Sequence, residues 1–358
     1  MSKKKVIHVG PIDNPTGGIS RFIDQANKNS PEYVTTTNHS RYSAESTIET
    51  ILYPIINFVK LLNFLTIDYD LVHIHTSQSY SFYLSSLYVI ISRKIHKKPI
   101  VIHCHGSRFD EFVKNSSGLK EKYIIQILQL ADRVLVVSND TGRAIQSISE
   151  QEPAIIRHSV ELSNYEPVCS SGSLSVLFLS NLLPRKGIKE FCSVIENINK
   201  KHEYNYTVDI AGIGECEGLV ECLATKEKNV KYHGFVSESK KHELINNSDI
   251  YVLPTKAEAG VPIAIVEAMA GKNALVTSDV SGINEILTES NAIFVNPNST
   301  NQIELAISSL LENEDLVYEM GITNRELIKN KYTSEHLMNN LSKIYSPLLG
   351  LSKPSVDS

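Results

Sequence analysis

Residues 253–285 read LPTKAEAGVPIAIVEAMAGKNALVTSDVSGINE, and the fold class turns on them. They set an acidic loop, a short apolar helix, a strand and a glycine-containing turn in succession. Residues 261–270 are apolar except for Glu267, and Pro262 suits a first helical turn. A carboxylate on an otherwise buried helix is destabilising unless something hydrogen-bonds to it, and the hydroxyls of a ligand are a natural partner. On that reading, removing Glu267 would weaken ligand binding and leave packing intact. Glu258 stands nine residues earlier. On one continuous helix nine steps of about 100° would place the two carboxylates on opposite faces. Gly260 and Pro262 instead put Glu258 on a loop.

Beyond this segment, strand-like runs alternate with helical patterns along nearly the whole chain. The first half carries them at 6–12, 33–39, 71–76, 100–106, 133–139 and 154–160. The second half carries them at 175–181, 206–212, 230–235, 249–255, 274–279 and 292–297. Near-continuous apolar strands separated by helices indicate parallel sheets covered on both faces. The run SNYEPVCSSGSL at 163–174 breaks the alternation and reads as a linker. The expected organisation is therefore α/β: a Rossmann-like domain over 1–165, the linker, a second Rossmann-like domain over 175–335, a C-terminal helix over 336–350 and a disordered tail over 352–358.

Bulk properties restrict the function. At 358 residues, 42% hydrophobic and 21% charged, the chain is globular and of two-domain size. Five cysteines with no CxxC pair favour neither a disulfide framework nor a zinc site. The N-terminus MSKKKVIHVG runs into a strand pattern and not a cleavage site, so the expected location is cytoplasmic. Residues 1–165 carry 18 Lys+Arg against 15 Asp+Glu, a net of +3, and the remainder 17 against 25, a net of −8. That asymmetry does not support nucleic-acid binding. Asp68-Tyr69-Asp70 mimics a metal-binding acid pair but only precedes an apolar strand, and it reads as a decoy.

Several residues could carry chemistry. Gly17 and Gly18 follow the first strand and open the first helix, where backbone amides can meet a phosphate. Arg185 and Lys186, with Gly187, precede a helix in the second half and could neutralise a diphosphate. His103 and His105 alternate on one strand, with His105 nearer the C-terminal end where open α/β sheets bind ligands. His73 and His75 repeat the pattern one strand earlier and read as structural.

The stretch around Glu267, with AMAG after it, resembles the signature of family-4 glycosyltransferases, and the resemblance extends over roughly residues 6–350. That family implies a GT-B fold, two Rossmann-like parallel-sheet domains facing each other across a cleft. It further implies transfer of a hexose from a nucleotide-diphosphate sugar, with retention of configuration, to a glycan or lipid-linked acceptor held by the N-terminal domain. No cofactor and no obligatory metal are implied. Carried onto this chain, Glu267 would hold the ribose, and His105 and Glu258 would orient the hexose. Lys186, Arg185 and the amides of Gly17, Gly18 and Val261 would meet the diphosphate. Gly212, Gly260 and Gly282 match the family's donor-site turns, and Phe235 and Val236 the segment beside the nucleobase. Two departures stand out. The family's first glutamate falls on Ala259, one residue after Glu258, so its role is either retained through a bulge or lost. Its arginine falls on Asn181.

Residues 48–67 and 79–98 are rich in aliphatic and aromatic side chains. Pro54 and Lys60 argue against a membrane span, and both segments read as covers of the N-terminal sheet, with a peripheral contact to lipid at the inner face of the cell membrane left open. Two other functions remain at this stage: a nucleotide-sugar epimerase on the same fold, and a non-catalytic partner subunit of a glycosyltransferase.

Overall fold

The computed structural model describes residues 3–12, 18–31, 34–40, 47–106, 109–168, 172–201, 204–258, 260–280 and 282–351. Two compact units emerge, one formed by Met1–His158 with Ser334–Ser358 and the other by Ser159–Thr333.

The first unit begins with β1 (Lys4–Gly10), α1 (Gly18–Lys28), β2 (Val34–Ser40) and α2 (Thr47–Phe64). It continues through β3 (Leu71–Thr76), α3 (Tyr80–Ile91), β4 (Ile100–Cys104), α4 (Phe109–Lys114) and α5 (Gly118–Gln129). β5 (Arg133–Val136), α6 (Asn139–Ile148) and β6 (Ala154–Ile155) complete its sheet. The second unit contains β7 (Leu174–Leu179), α7 (Ile188–Lys201), β8 (Tyr206–Ala211), α8 (Glu217–Lys226), β9 (Val230–Tyr232) and α9 (Glu238–Asn246). After these come β10 (Ile250–Leu253), α10 (Ile263–Ala270), β11 (Ala274–Ser278), β12 (Ala292–Val295), α11 (Thr300–Leu311) and α12 (Glu314–Lys331). The last helix, α13 (Ser334–Leu348), returns to the first unit.

Each unit is built on a six-stranded sheet, in the orders β2-β1-β3-β4-β5-β6 and β12-β11-β10-β7-β8-β9. Every pairing is parallel. All twelve strands read from the sequence are present, most of them ending earlier than the apolar run because glycine, proline or polar residues peel the tips into loops. In the first sheet chain order reverses between β1 and β3, and in the second between β7 and β10. Loops diverge at such a reversal and open a crevice at the strand C-termini.

Strand alternation sorts the first unit into two layers. Ile7, Val9, Val72, Ile74, Ile100 and Ile102 pack under Phe64 and Tyr88. Val6, Leu71, Val101 and Leu135 face the other way, toward Phe22 of α1 and Leu337, Leu341 and Tyr345 of α13. The spacing of the last three, four residues apart, puts them on one stripe of α13. The second unit has one large core through both faces of its sheet. The acidic pair at the start of β3 is structural: Asp70 accepts from the Lys5 amide at 2.9 Å, and Asp68 pairs with the Lys5 ammonium at 2.8 Å. These contacts lie at the N-terminal edge of the sheet, away from the ligand-binding end.

Candidate functional site

The second unit's reversal point holds Lys186 and Glu258 together. A turn over Pro184–Lys186 follows β7, closed by amide bonds from Lys186 to Leu183 O (2.8 Å) and Gly187 to Pro184 O (3.1 Å). Gly187 sits at φ 79°, and a Cβ there would lie 2.3 Å from the carbonyl oxygen of Pro254. Only glycine lets this turn press against the loop after β10. The Lys256 amide donates to Arg185 O at 2.8 Å and locks the two loops. Lys186 is thereby buried, and its ammonium donates to Glu258 Oε1. The same oxygen accepts from Thr255 Oγ1 at 2.7 Å. Burial pushes the Lys186 pKa below the lysine range, and the adjacent carboxylate opposes that shift. Arg185 is exposed and donates to the Ala257 carbonyl at 3.5 Å.

Glu258 does lie on the loop, and Ala259, the residue on which the family's first glutamate falls, is outside the described residues. Glu267 lies on α10, buried, and its carboxylate accepts from the ammonium of Lys241 on α9. Both side chains are 4% exposed. Lys241 also donates to Glu238 Oε2 at 2.6 Å. The partner that the sequence reading assigned to a ligand is therefore supplied, at least for Oε1, by the protein. Gly260 and Gly282 meet: a Cβ on Gly282, at φ 87°, would be 2.3 Å from the Cα of Gly260. This contact brings the loop before α10 against the turn after β11. Val261 is buried between that glycine pair and α10, and Pro262 immediately precedes the helix.

The loop after β8 turns on Gly212 at φ 136°, whose Cβ would strike Ser180 O at 1.9 Å. Its amide donates to Gly234 O at 2.8 Å, which ties it to the segment carrying Phe235 and Val236. Phe235 is 63% exposed while Val236 packs on the core. An open depression of about 560 Å³ adjoins the Lys186 turn through Pro184 and is otherwise lined by Lys189, Glu215, Cys216, Gly218 and Leu219. The second unit thus gathers Lys186, Glu258, Gly260 and Gly282 on the loops at its reversal point, with Gly212 on the next strand's tip.

In the first unit Gly18 opens α1, beside the ring of His158, whereas Gly17 lies outside the described residues. His105 falls just past β4, and it joins a run of imidazoles. His8 Nδ1 lies 2.9 Å from His75 Nε2, and His75 Nδ1 lies 3.0 Å from His105 Nε2. His73 Nδ1 meets the Tyr345 hydroxyl at 2.6 Å. Phe22 sets its ring edge-on to His73, His103 and His105. Burial pulls His8 and His158 down to about 4 and holds His73, His75, His103 and His105 well below the ordinary histidine value.

Sequence reading missed Lys241, Thr255, His158 and Tyr345. Lys241 had a signal: with Leu244 and Ile245 it forms the buried stripe of α9, so a lysine occupied an apolar helical position. Tyr345 had none, because its partner His73 is 272 residues away.

Comparison with known proteins fixes the family. The profile described as Glycosyltransferase Family 4 matches residues 22–164, and that described as Glycosyl transferases group 1 matches residues 169–333. The chain belongs to the group 1, family-4 type glycosyltransferases. An uncharacterised glycosyltransferase of Methanocaldococcus jannaschii is 24% identical over 323 residues, covering 83% of this chain and 81% of that protein. A Campylobacter jejuni N,N'-diacetylbacillosaminyl-diphospho-undecaprenol alpha-1,3-N-acetylgalactosaminyltransferase is 30% identical over 142 residues, 39% of this chain and 36% of the relative. Among solved structures, Anabaena HepE in complex with UDP-glucose superposes with a TM-score of 0.74 at 15% identity, covering 96% of this chain and all of that one. The glycosyltransferase has the two-domain α/β architecture of the GT-B fold.

Proposed function

We propose that this glycosyltransferase takes a hexose from a nucleoside-diphosphate sugar and passes it, with retention of configuration, to a glycan or lipid-linked acceptor in surface polysaccharide or glycoconjugate synthesis. The observation that carries the donor assignment is the buried Lys186–Glu258 pair at the reversal point of the second sheet. Such a crevice is where open α/β sheets bind nucleotides. A buried ammonium already held in place adds charge stabilisation to a departing diphosphate without reorganising at the moment of reaction. In this reading the diphosphate competes for Lys186 and releases Glu258 to accept a hydroxyl of the sugar. Glu267, its rotamer fixed by Lys241, holds the ribose. The exposed ring of Phe235 and the Val236 backbone lie beside the base. HepE's complex with UDP-glucose supports a UDP-sugar as the first donor to try.

The acceptor side draws support from α2. Ile55, Phe58, Val59, Leu62 and Leu65 are exposed on it or just beyond, while Asn57 and Phe64 turn inward. Among the described residues no helix is long and apolar enough to cross a membrane. An apolar face on a weakly basic half suits peripheral docking to anionic lipid, and the Campylobacter relative's name specifies a diphospho-undecaprenol acceptor.

Thermal unfolding with UDP, GDP, ADP and their sugars tests the donor. A ligand at a hundred times its dissociation constant adds about 2.7 kcal/mol of stability. Release of free nucleoside diphosphate only when an acceptor is present marks a transferase, and release-free conversion of the sugar would mark an epimerase instead. Sedimentation with phosphatidylglycerol vesicles, using Phe58→Ser as the control that loses binding, tests the docking face.

A further inference from the structure

We propose that His8, His73 and His75 form a binding site for one zinc-class divalent cation inside the first unit. Their ring nitrogens approach to within 4.8 Å of one another, and all three side chains are fully buried. None of the donor-site chemistry above uses them.

The placement follows from the strands. His8 on β1 continues the side of the sheet that carries Val6, and His73 and His75 on β3 continue the side that carries Leu71. β1 and β3 are neighbours in register, with His8 opposite His73. Period-two alternation on two paired strands therefore projects three imidazoles to one point, capped by Phe22 of α1 and Tyr345 of α13. An all-imidazole set in an apolar shell suits zinc, nickel or copper and does not suit magnesium or calcium, which take oxygen ligands.

Two of the three rings already have the outer partners that metal-bound histidines require. His73 Nδ1 can donate to the Tyr345 hydroxyl, which leaves the lone pair on Nε2, a buried atom with no hydrogen-bond partner. His75 Nδ1 can donate to His105 Nε2, which leaves its own Nε2 lone pair facing His8. The cation then takes the place of the proton between His8 Nδ1 and His75 Nε2. His8 moves that proton to its Nε2, so three neutral rings bind the ion with no net proton release. The gap of 2.9 Å between these two nitrogens opens by a few tenths of an ångström to fit two bonds of about 2.0–2.1 Å at a tetrahedral angle. An oxygen ligand such as water would fill the remaining position, since the single lone pair of neutral His105 already accepts from His75 Nδ1.

The full chain, stripped with EDTA and dialysed, is titrated with Co²⁺ followed by visible absorption and with Zn²⁺ by calorimetry. One equivalent of Co²⁺ should bind with the intense spectrum of a tetrahedral site, and Zn²⁺ should displace it. His73→Gln should abolish the spectrum, Tyr345→Phe should lower affinity about 10–100-fold by loss of the outer partner, and His103→Gln should leave binding in place. Near-ultraviolet circular dichroism checks that each variant is folded. If His73→Gln is unfolded, Tyr345→Phe carries the assignment, because its hydroxyl meets His73 and a site on His75, His103 and His105 would keep its affinity in that variant. Absence of binding to the wild type overturns the site. Loss with His103→Gln and retention with His73→Gln also overturns it, because the ion would then sit on His75, His103 and His105.

Discussion

Glu267 and Lys241 neutralise each other inside the second unit, the carboxylate on α10 accepting from the ammonium on α9, each side chain 4% exposed. Lys241 has a second carboxylate partner in Glu238, at 2.6 Å. The relationship changes what a mutation at Glu267 means, because the residue that marks the family signature also holds two helices together.

Glu267→Ala is therefore expected to destabilise the fold as well as stop transfer. Without Glu267 the buried Lys241 ammonium keeps only the exposed Glu238 carboxylate as a counter-ion, so the loss is smaller than the about 3–5 kcal/mol that follows when a buried charge is left wholly unpaired. The double variant Lys241→Met/Glu267→Leu should recover most of that stability in urea unfolding while remaining inactive. Recovery of activity together with stability would show that Glu267 serves packing only.

Gly187→Ala tests how the Lys186 turn is built. The added methyl would sit 2.3 Å from Pro254 O at a φ of 79°, so the turn must move away from the β10 loop. We expect a stability loss of about 1–3 kcal/mol and, on the proposed role of Lys186 at the leaving group, a fall in turnover greater than the change in the Michaelis constant. Gly218→Ala, where a Cβ meets open space, is the neutral comparison for stability.

Acidification should weaken the first unit. The folded pKa values of His8 and His158 lie at about 4, below the ordinary 6.5. Between those values the unfolded chain takes up protons that the folded chain refuses, so stability is full above pH 6.5 and declines as pH falls toward 4. Each such histidine contributes a slope of up to about 1.4 kcal/mol per pH unit. Melting temperatures measured from about pH 7.5 to about pH 5 should fall, and His8→Gln should make the fall shallower. A melting temperature indifferent to pH over that range would contradict the burial of these rings.

The architecture was legible because parallel strands buried on both faces leave an apolar run that sequence displays directly, as in residues 71–76 and 250–253. The glycines at 212 and 282 were legible because each sits in a loop soon after a strand, and Gly187 because it ends the turn that leads into α7. Partnerships were not. Sequence spacing could place Glu258 on a loop but could not show that Lys186, 72 residues earlier, would meet it. His73 and His75 looked like isolated structural residues because their neighbours come from β1, β4 and α13. Lys241 was not singled out, although its place in the buried stripe with Leu244 and Ile245 was visible. A pattern within one element reports which face is buried; it does not report which side chain arrives from elsewhere.

The Lys186–Glu258 pair is the centre of the donor assignment, and calorimetry with a nucleoside diphosphate is the sharpest test of it. Whichever of UDP, GDP and ADP stabilises the wild type is titrated into wild type and Lys186→Gln, beside the matching nucleoside without phosphates. A lost charge-assisted hydrogen bond is worth about 1.5–3 kcal/mol, so the diphosphate should bind the variant about ten- to a hundredfold more weakly, while the bare nucleoside binds both proteins alike. Equal diphosphate affinity for wild type and variant, with both folded, would contradict the placement of the leaving group at Lys186.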